Sequence, residues 1–355
     1  MPDRAMETPA RNVVVFRTDR IGDLILSTPL FEAIKIASPE TRVTLVAPPY
    51  ALPAVEENPH LDETIPWDIK GWAEVRPFAA RLRRERFDAA VLLNPGWYDG
   101  WAAVIAGIPF RTGPLARPAG FALLNRGVRQ ARSRSRLHQS ELDAAFAKTI
   151  TGRTRKGTPR PRIWLRDEER RRGGALLLGS GMNASPPRVG IHAGSGGSAV
   201  LWPERHYAAL GRLFTREGWN VALTGGPGEE ERVARLAAEI GDRAFPLAGT
   251  ADLRVFFGML THLDLFIAPS TGPLHAAAAL GVPVAAPYSP LPSQSAGRWG
   301  PRADRAVVLT PDVDCPERIR CAGERCPHHP CMERIEPERF FEEAAALARR
   351  GRESR

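Results

Sequence analysis

The pattern of apolar positions divides the chain into two series of alternating strands and helices. Short apolar runs bounded by turn residues alternate with segments whose apolar residues recur at helical spacing. In the first half, the predicted strands are residues 12–16, 42–47, 63–67 and 88–94, and the predicted helices are residues 22–37, 71–85 and 97–106. Strands that are apolar throughout and separated by helices predict a parallel sheet covered on both faces.

The second half repeats this alternation. Strands are predicted at residues 188–192, 220–224, 244–247, 263–268 and 282–286, and helices at 203–217, 228–240, 253–261, 272–280 and 337–350. Residues 161–187 are rich in Arg, Gly and Pro and have only a short helical piece at 166–178, which is typical of a linker.

We therefore expect an α/β protein with two Rossmann-like domains that face each other across a cleft. The predicted boundaries are 1–160 for the first domain, 161–187 for the linker, 188–336 for the second domain and 337–355 for a C-terminal helix. Ligands of such sheets bind beyond the carboxyl ends of the strands. The loops that follow the strands are consequently the place to look for chemistry.

Composition excludes several classes of protein. The 355 residues are 43% hydrophobic and 25% charged, which is ordinary for a globular chain and excludes a disordered or fibrous one. Four cysteines are too few for a disulfide scaffold. No apolar stretch approaches the ~18 residues of a membrane span, and the first twelve residues lack the apolar core of a secretory signal. The expected location is the cytoplasm.

The net charge of +9 lies entirely in the first half, because residues 1–187 hold 29 basic and 20 acidic side chains. The excess is concentrated in Arg126, Arg129, Arg132, Arg134 and Arg136, and in Arg153, Arg155, Lys156, Arg160 and Arg162. Such a patch suits an anionic lipid surface, an acidic substrate or nucleic acid. Nucleic acid is the weakest of the three, since neither a recognition motif nor interleaved aromatics accompany the patch. A plain solvated surface is the alternative.

Loop one, residues 17–22, leaves the first predicted strand and is followed by Asp23 in the first turn of a helix. A carboxylate at the carboxyl end of a strand is placed to act as a general base. The alternative is an acidic side chain that only complements the helix dipole.

Loop two, residues 194–198 (GSGGS), follows the first strand of the second domain. Its backbone N–H groups are suited to cradling phosphate oxygens, and a plain flexible connector is the alternative. The loop loosely matches the dinucleotide pattern G-x-G-x-x-A. NAD is disfavoured because the helix begins late, at Pro203, and the next strand ends without an acid for a ribose hydroxyl.

Loop three, residues 268–275 (APSTGPLH), again joins a strand to a helix. The hydroxyls of Ser270 and Thr271 lie beside free helix N–H groups, where an anion or a simple N-cap is favoured. His275 is either part of this site or a packed core residue. Two phosphate-binding loops, with a basic first domain that carries a candidate base, indicate a nucleotide-sugar glycosyltransferase acting on an anionic acceptor.

Several spaced segments resemble one family in order along the chain. They are VVVFRTDRIGDLILSTPLFEAIK, AGIPFRTG, VGIHAGSGGSAVLWPERHYAAL, VALTGGPGEEE and APSTGPLHAAAALGVPV. Together they resemble glycosyltransferase family 9, the heptosyltransferases of lipopolysaccharide core assembly, from about residue 13 to 340. The resemblance implies a GT-B fold and metal-independent, inverting transfer from ADP-L-glycero-β-D-manno-heptose to an anionic sugar of the lipid A–Kdo core.

The resemblance also implies residue roles, with Asp23 as the general base. The implied donor-binding residues are Gly194, Ser195, Gly196, Gly197, Ser198, Trp202, Ser270, Thr271, Gly272 and His275, and the acceptor-binding residues are Arg17, Arg20 and Arg111. No catalytic cofactor and no nucleic acid are expected, and the basic first domain is expected to touch the anionic inner-membrane surface. Arg205, or Arg17 or Arg20 of the first domain, is a candidate to supply the phosphate-binding cation that the family often has at position 200.

Two positions depart from the family pattern. Val200 stands where the family often has Lys, and Ser270 where it often has Asp. These departures leave open a transferase that uses another nucleotide sugar for a different envelope glycan, or an inactive GT-B binding or scaffold protein.

All four cysteines of the chain cluster near its end, as C-x5-C-x4-C-x4-C. They are Cys315, Cys321, Cys326 and Cys331, with His328 and His329 between them. Four thiolates suit a structural zinc ion, although the spacing is wider than in the usual C-x2-C knuckle. The alternative is a set of free or oxidisable thiols.

Overall fold

A computed structural model describes residues 5–130, 137–153, 157, 160–183, 185–197 and 199–353. The chain forms two units, Met1–Arg162 and Ile163–Arg355. Six residues of the predicted patch and loop two lie outside the described residues: Arg132, Arg134, Arg136, Arg155, Lys156 and Ser198.

The first unit is built on a parallel five-stranded sheet. Its strands are β1 (Asn12–Phe16), β2 (Arg42–Ala47), β3 (Glu63–Pro66), β4 (Ala89–Leu92) and β5 (Phe110–Thr112), in the order β3-β2-β1-β4-β5. Its helices are α1 (Ile21–Ala37), α2 (Trp72–Glu85), α3 (Trp97–Ile105), α4 (Pro118–Leu123), α5 (Gln139–Ala144) and α6 (Phe146–Thr151).

Alternation along the central strand creates the two cores of this unit. Val13 and Val15 point to the face covered by α1 and α6, where Phe146 packs. Val14 and Phe16 point to the opposite face, which α2 and α3 cover. Successive side chains of a strand face opposite ways, so a strand buried on both faces has to be apolar at every position, as β1 is.

The second unit has a parallel six-stranded sheet. Its strands are β6 (Arg188–Ile191), β7 (Asn220–Leu223), β8 (Ala244–Pro246), β9 (Leu265–Ile267), β10 (Val284–Pro287) and β11 (Ala306–Leu309), in the order β11-β10-β9-β6-β7-β8. Its helices are α7 (Asp167–Gly179), α8 (Glu204–Arg216), α9 (Glu230–Ile240), α10 (Leu253–Leu260), α11 (Gly272–Ala279), α12 (Ala296–Trp299) and α13 (Pro337–Glu353). Counted from β6, this is the 3-2-1-4-5-6 order of a Rossmann fold, so the predicted α/β class is confirmed.

The segment predicted as a linker differs from expectation. Its residues Asp167–Gly179 form α7, where a short helical piece was predicted, and α7 packs against α10 within the second unit. A Cβ atom on Gly173 would lie 2.0 Å from the backbone nitrogen of Met259, so the two helices touch through their backbones. The buried carboxylate of Glu169 accepts hydrogen bonds from Arg254 at 2.6 and 2.8 Å. Because glycines and one ion pair make this contact, α7 lacks a strong apolar pattern.

The C-terminal helix is also part of the second unit rather than a separate element. Phe340, Ala344 and Ala348 of α13 are buried in the core of this unit, alongside residues of α8. Within the ranges described above, no helix is both long and apolar enough to cross a bilayer.

Candidate functional site

Loop one lies at the topological switch point of the first sheet. Strands β1 and β4 are neighbours, and the chain continues from them toward opposite edges of the sheet. Loop one leaves the carboxyl end of β1, and α3 begins just beyond the carboxyl end of β4. The first turns of α1 and α3, which carry Asp23 and Asp99, therefore start from the place where ligands of such sheets bind.

Arg17 is the centre of a buried ionic network. Its side chain is 1% exposed, and its Nη2 lies 3.3 Å from Asp23 Oδ1 and 3.2 Å from Asp143 Oδ2. Its Nε lies 3.3 Å from Asp19 Oδ1. Burial alone would lower the pKa of this guanidinium, but the three carboxylates raise it above its usual value. The side chain of Arg17, which was predicted to bind the acceptor, is thus engaged in ion pairs with three carboxylates.

Asp143 anchors the network from α5. Its side chain has no exposed surface. Oδ2 accepts a hydrogen bond from Ser27 at 3.0 Å, and Oδ1 accepts one from Gln139 at 2.9 Å. Together with the charge of Arg17, these hydrogen bonds hold the Asp143 carboxylate in one orientation. Asp143 consequently fixes the position of the Arg17 guanidinium, which in turn contacts Asp23.

Asp23 has the proton affinity of a base that works near neutral pH. One-fifth of its side chain is exposed. The pKa of this carboxyl is raised to about 6, and burial is the largest cause. Arg17 opposes the shift, Asp19 and Asp143 add to it, and Arg20 opposes it. A general base is most effective when its pKa lies near the working pH. The environment of Asp23 fits that role better than that of a surface carboxylate which only complements a helix dipole.

Sequence reasoning missed two other groups at this edge. Asp99 is buried, and its Oδ1 accepts hydrogen bonds from the N–H groups of Gly96 and Gly100 at 2.7 and 3.0 Å. Burial raises the pKa of Asp99 to about 6 despite these bonds. Tyr50, which follows β2, donates a hydrogen bond to the carbonyl of Asp19 at 3.2 Å and is largely exposed. The spacing Gly96-x-x-Asp99, a helix-start pattern, was the available signal for the first.

The other two arginines predicted to bind the acceptor differ from each other. Arg20 is the exposed residue that precedes α1, and its charge acts on Asp23. Arg111 donates from Nε to the carbonyl of Leu123 at 3.0 Å and from Nη1 to that of Ile108 at 2.6 Å. Arg111 thus ties β5 to the chain around it, and Arg20 is the one of the two presented to solvent.

In the second unit, loops two and three flank the corresponding switch point. They follow β6 and β9, which are neighbours in the sheet. Gly196 and Gly197 have φ angles of +50° and +74°, a left-handed conformation that residues with a Cβ rarely adopt. Both are exposed, and a Cβ on either would meet nothing within 4 Å. Consecutive backbone N–H groups in such a turn form an anion-binding concavity.

Loop three is more ordered by side-chain contacts. Thr271 is the N-cap residue of α11 but makes no side-chain capping bond, and its hydroxyl donates to the carbonyl of Pro269 at 3.2 Å. Ser270 hydrogen-bonds the buried hydroxyl of Tyr288. His275 is buried in the helix. The simple N-cap alternative is therefore disfavoured for Thr271, and the N-terminus of α11 keeps its affinity for an anion.

Trp202, predicted to bind the donor, is a core residue. Its side chain is buried against Tyr207 and Phe340, and its indole N–H donates to the carbonyl of Ile335 at 2.9 Å. Because the indole is enclosed in the core, Trp202 anchors the end of the segment that follows loop two. At the neighbouring position Val200, the backbone N–H donates to Gln294 Oε1 at 3.1 Å.

His192, at the carboxyl end of β6, was also missed by sequence reasoning. Its Nδ1 lies 3.1 Å from Thr224 Oγ1, at the end of β7. Burial lowers the pKa of this imidazole to about 4, so it is neutral at physiological pH. Arg205, a candidate replacement for the missing phosphate-binding cation, instead pairs with Glu333.

Cys315, Cys321, Cys326 and Cys331 line one pocket together with His328, and we refer to these residues as the four-cysteine pocket. All four cysteines are free thiols. Burial raises the pKa of the Cys331 thiol, and the other three sulfur atoms raise it further. Among the described residues, no three His, Cys, Asp or Glu side chains are already arranged as metal ligands. The structural zinc ion that the four cysteines suggest, here called the zinc clip, stays a prediction.

Comparison with known proteins agrees with this architecture. The family model described as glycosyltransferase family 9 (heptosyltransferase) matches residues 75–322. A putative glycosyltransferase of Haemophilus influenzae is 28% identical over 308 residues, which cover 84% of this chain and 89% of that protein. Lipopolysaccharide heptosyltransferase 2 of Escherichia coli is 26% identical over 346 residues, covering 94% and 98%. The solved E. coli ADP-heptose lipopolysaccharide heptosyltransferase II superposes with a TM-score of 0.78 at 24% identity, covering 96% of this chain and 99% of that one.

Two Rossmann-like units in one chain, each built on a parallel sheet, define the GT-B fold. More narrowly, the chain belongs to glycosyltransferase family 9. The resemblance noted in the sequence is thereby confirmed, and the residue roles that it implied stay predictions.

Proposed function

We propose that this enzyme transfers a heptose from ADP-L-glycero-β-D-manno-heptose to an anionic sugar of a lipopolysaccharide core, with inversion at the transferred carbon. The observation that carries the proposal is Asp23, a partly exposed carboxylate with a pKa of about 6 at the switch point of the first sheet. The names of the E. coli relatives support heptose as the sugar, ADP-heptose as the donor and lipopolysaccharide as the acceptor.

In the proposed reaction, the first unit holds the acceptor and the second holds the donor. Asp23 takes the proton of the acceptor hydroxyl while its oxygen forms a bond to the anomeric carbon of the heptose. The bond from that carbon to the diphosphate breaks on the opposite face, and its electron pair leaves with ADP. Arg17, held by Asp143 and Asp19, keeps the carboxylate oriented toward the reacting hydroxyl.

We also propose that the leaving diphosphate is stabilised by backbone groups rather than by a metal ion. The N–H groups come from the left-handed turn at Gly196–Gly197, where that of Gly197 donates to Ser195 Oγ at 3.2 Å, and from the N-terminus of α11. Fixed donors directed at developing negative charge are among the largest contributors to catalysis.

A second candidate is a transferase that uses a different nucleotide sugar for another envelope glycan. Val200 favours it, because this position offers an apolar side chain and a backbone N–H already bonded to Gln294. An inactive scaffold protein is disfavoured, since nothing in a binding role calls for a carboxylate held at a pKa of about 6.

Substitution of Asp23 separates enzyme from scaffold. Asp23→Asn keeps the shape of the side chain and removes the base, so turnover is expected to fall by about 10²- to 10⁴-fold. Thermal unfolding checks that the variant still folds. Full turnover by a folded Asp23→Asn protein would remove this residue from the mechanism.

The donor is identified by thermal shift with ADP, UDP, GDP and CDP, each with and without Mg²⁺. A ligand at 100 times its Kd stabilises the folded state by about 2.7 kcal/mol, which is a shift of a few degrees. A selective shift with ADP that does not need metal supports ADP-heptose. A selective shift with UDP, GDP or CDP supports the second candidate.

A further inference from the structure

Part of the first unit exposes aromatic side chains on adjacent helices. Trp72 at the start of α2 is 56% exposed, Trp97 and Trp101 on α3 are 47% and 38% exposed, and Phe121 on α4 is 56% exposed. Single exposed apolar residues are normal, but contiguous ones mark an interaction surface. Exposed tryptophans are the more notable because their large rings are usually buried.

Packing brings together the helices that carry these side chains. The rings of Trp72 and Tyr98 meet edge to face, with centroids 4.8 Å apart, and join α2 to α3. Gly100 joins α3 to α4, because a Cβ there would lie 2.6 Å from Leu123 Cδ1. Trp97 and Trp101 are four residues apart, so they share one face of α3.

The same region is cationic. Between residues 96 and 130 the one acidic residue is Asp99, and it is buried. Arg117, Arg126 and Arg129 in this stretch are exposed. The guanidinium of Arg129 lies 5.9 Å from the centroid of the Phe121 ring, so a charge and an apolar ring are presented together. We call these exposed side chains the aromatic–arginine surface; its members are Trp72, Trp97, Trp101, Phe121, Arg117, Arg126 and Arg129.

We propose that the aromatic–arginine surface binds the enzyme to an anionic lipid bilayer. Tryptophan, tyrosine and phenylalanine rings favour the headgroup region of a bilayer, where an apolar body and a polar edge are both accommodated. Arginines beside them are attracted to anionic lipid headgroups. Exposed aromatic rings beside arginines fit a membrane surface better than a soluble anion, because a soluble anion would be bound by the arginines and would leave three tryptophans exposed.

The position of this surface connects it to the reaction. Helix α3 begins just beyond β4, at the sheet edge that carries Asp23, and Asp99 lies on its first turn between Trp97 and Trp101. A bilayer bound here brings the headgroup region to the acceptor side of the site. The inference rests on the proposed function only in this respect, that the acceptor of such an enzyme is anchored in the same bilayer.

The test measures binding of the full-length protein to vesicles by sedimentation. Vesicles of phosphatidylethanolamine with phosphatidylglycerol are compared with vesicles of phosphatidylcholine alone, at low and high salt. We expect binding to the first kind, weakened by salt, and little binding to the second. An unaltered protein that ignores the anionic vesicles at low salt would overturn the proposal.

Two double variants locate the surface. In R117S/R129S we expect the partition coefficient to fall about fivefold for each arginine removed. In W101S/F121S we expect about a tenfold fall for each ring. The matched controls are R216S and L178S, which remove an exposed arginine and an exposed apolar side chain of the second unit and should bind as the parent does. Equal losses in variants and controls, or no loss in the variants, would contradict the proposal.

Two further measurements keep the outcome clear. In the unaltered protein, lipids with brominated acyl chains should quench part of the tryptophan fluorescence, which depends on no variant folding correctly. Turnover on a water-soluble, deacylated acceptor separates this proposal from the proposed function. Variants that lose vesicle binding and keep that turnover support the proposal. Variants that lose that turnover while still binding vesicles would assign the surface to the acceptor sugar instead. Vesicle binding without any turnover in the parent would contradict the proposed function alone.

Discussion

Asp143 offers a direct test of how the buried charges set the proton affinity of Asp23. In Asp143→Asn the shape of the side chain is kept and its charge is removed. Asp143 and Asp23 contact the same Nη2 of Arg17, at 3.2 and 3.3 Å, so their contacting oxygens are close to each other. The negative charge of Asp143 is one of the causes that raise the pKa of Asp23. Removing it should therefore lower that pKa.

The size of the effect follows from Coulomb's law. At a separation of about 6.5 Å and an effective dielectric of about 20, two unit charges interact by about 2.5 kcal/mol, nearly two pKa units. Solvent screens part of this because Asp23 is one-fifth exposed, so we expect a fall of about one unit. The base is active as the carboxylate, hence the rise of kcat/KM with pH should move from about 6 to about 5.

The assay is the pH dependence of kcat/KM for heptose transfer by purified enzyme. Asp68→Asn is the matched control, since it removes an equal charge from an exposed position. Asp143→Glu should return the acid limb toward that of the parent. An acid limb that stays in place in a folded Asp143→Asn protein would refute the assignment of the limb to Asp23, or the role of Asp143 in setting it.

Three other predictions concern stability and the cysteines. Asp99 has a pKa of about 6 in the folded state, above its unfolded value, so its carboxylate form destabilises the fold and stability is lost as pH rises through about 6. In Asp99→Asn the unfolding free energy should exceed that of the parent by at most about 3 kcal/mol at about pH 8 and by little at about pH 4. A difference in unfolding free energy that does not change with pH would contradict the ionisation of Asp99 as its cause. Gly173→Ala should destabilise the second unit by about 1–3 kcal/mol or more, measured by denaturant unfolding, because its Cβ would enter the backbone of α10. Gly179→Ala, where a Cβ meets nothing, is the control and should be neutral or stabilising, and equal losses in both would refute the argument. Elemental analysis of protein purified without chelator tests the zinc clip, and absence of a stoichiometric metal would leave the four-cysteine pocket as free thiols.

The central strands were predictable because their burial leaves a local signature. Strands β1, β2 and β4 are apolar at nearly every position, and the helices between them have the spacing expected of α/β units. Strand β11 and the short helices α4, α5 and α6 were not predicted, and β5 was indicated only by the family resemblance of residues 106–113. Each is at most six residues long, so none contains enough positions to establish a period.

The candidate site was predictable only as far as it lies in loops after strands. Asp23 and the glycines of loop two follow the strands that form the switch points, and the order of elements alone places them there. The partnership of Arg17 with Asp143 joins residues 126 positions apart. No local sequence pattern encodes such a contact. From the sequence alone, an arginine in a loop that follows a strand is therefore assigned to ligand binding. The burial of Trp202 could not be predicted for the same reason, since it depends on packing against Phe340.

The packing of α7 has a consequence for exchanging domains between relatives of this enzyme. A chimera that joins a foreign first unit at residue 188 would import a helix whose residues were not selected to meet Gly258, where a Cβ would lie 2.0 Å from the carbonyl oxygen of Glu169. It would also separate the buried Arg254 from its carboxylate. A junction between residues 162 and 163 carries α7 together with α10 and keeps the second unit intact. The second unit can therefore be exchanged as a whole only if it includes α7, which precedes its first strand, β6.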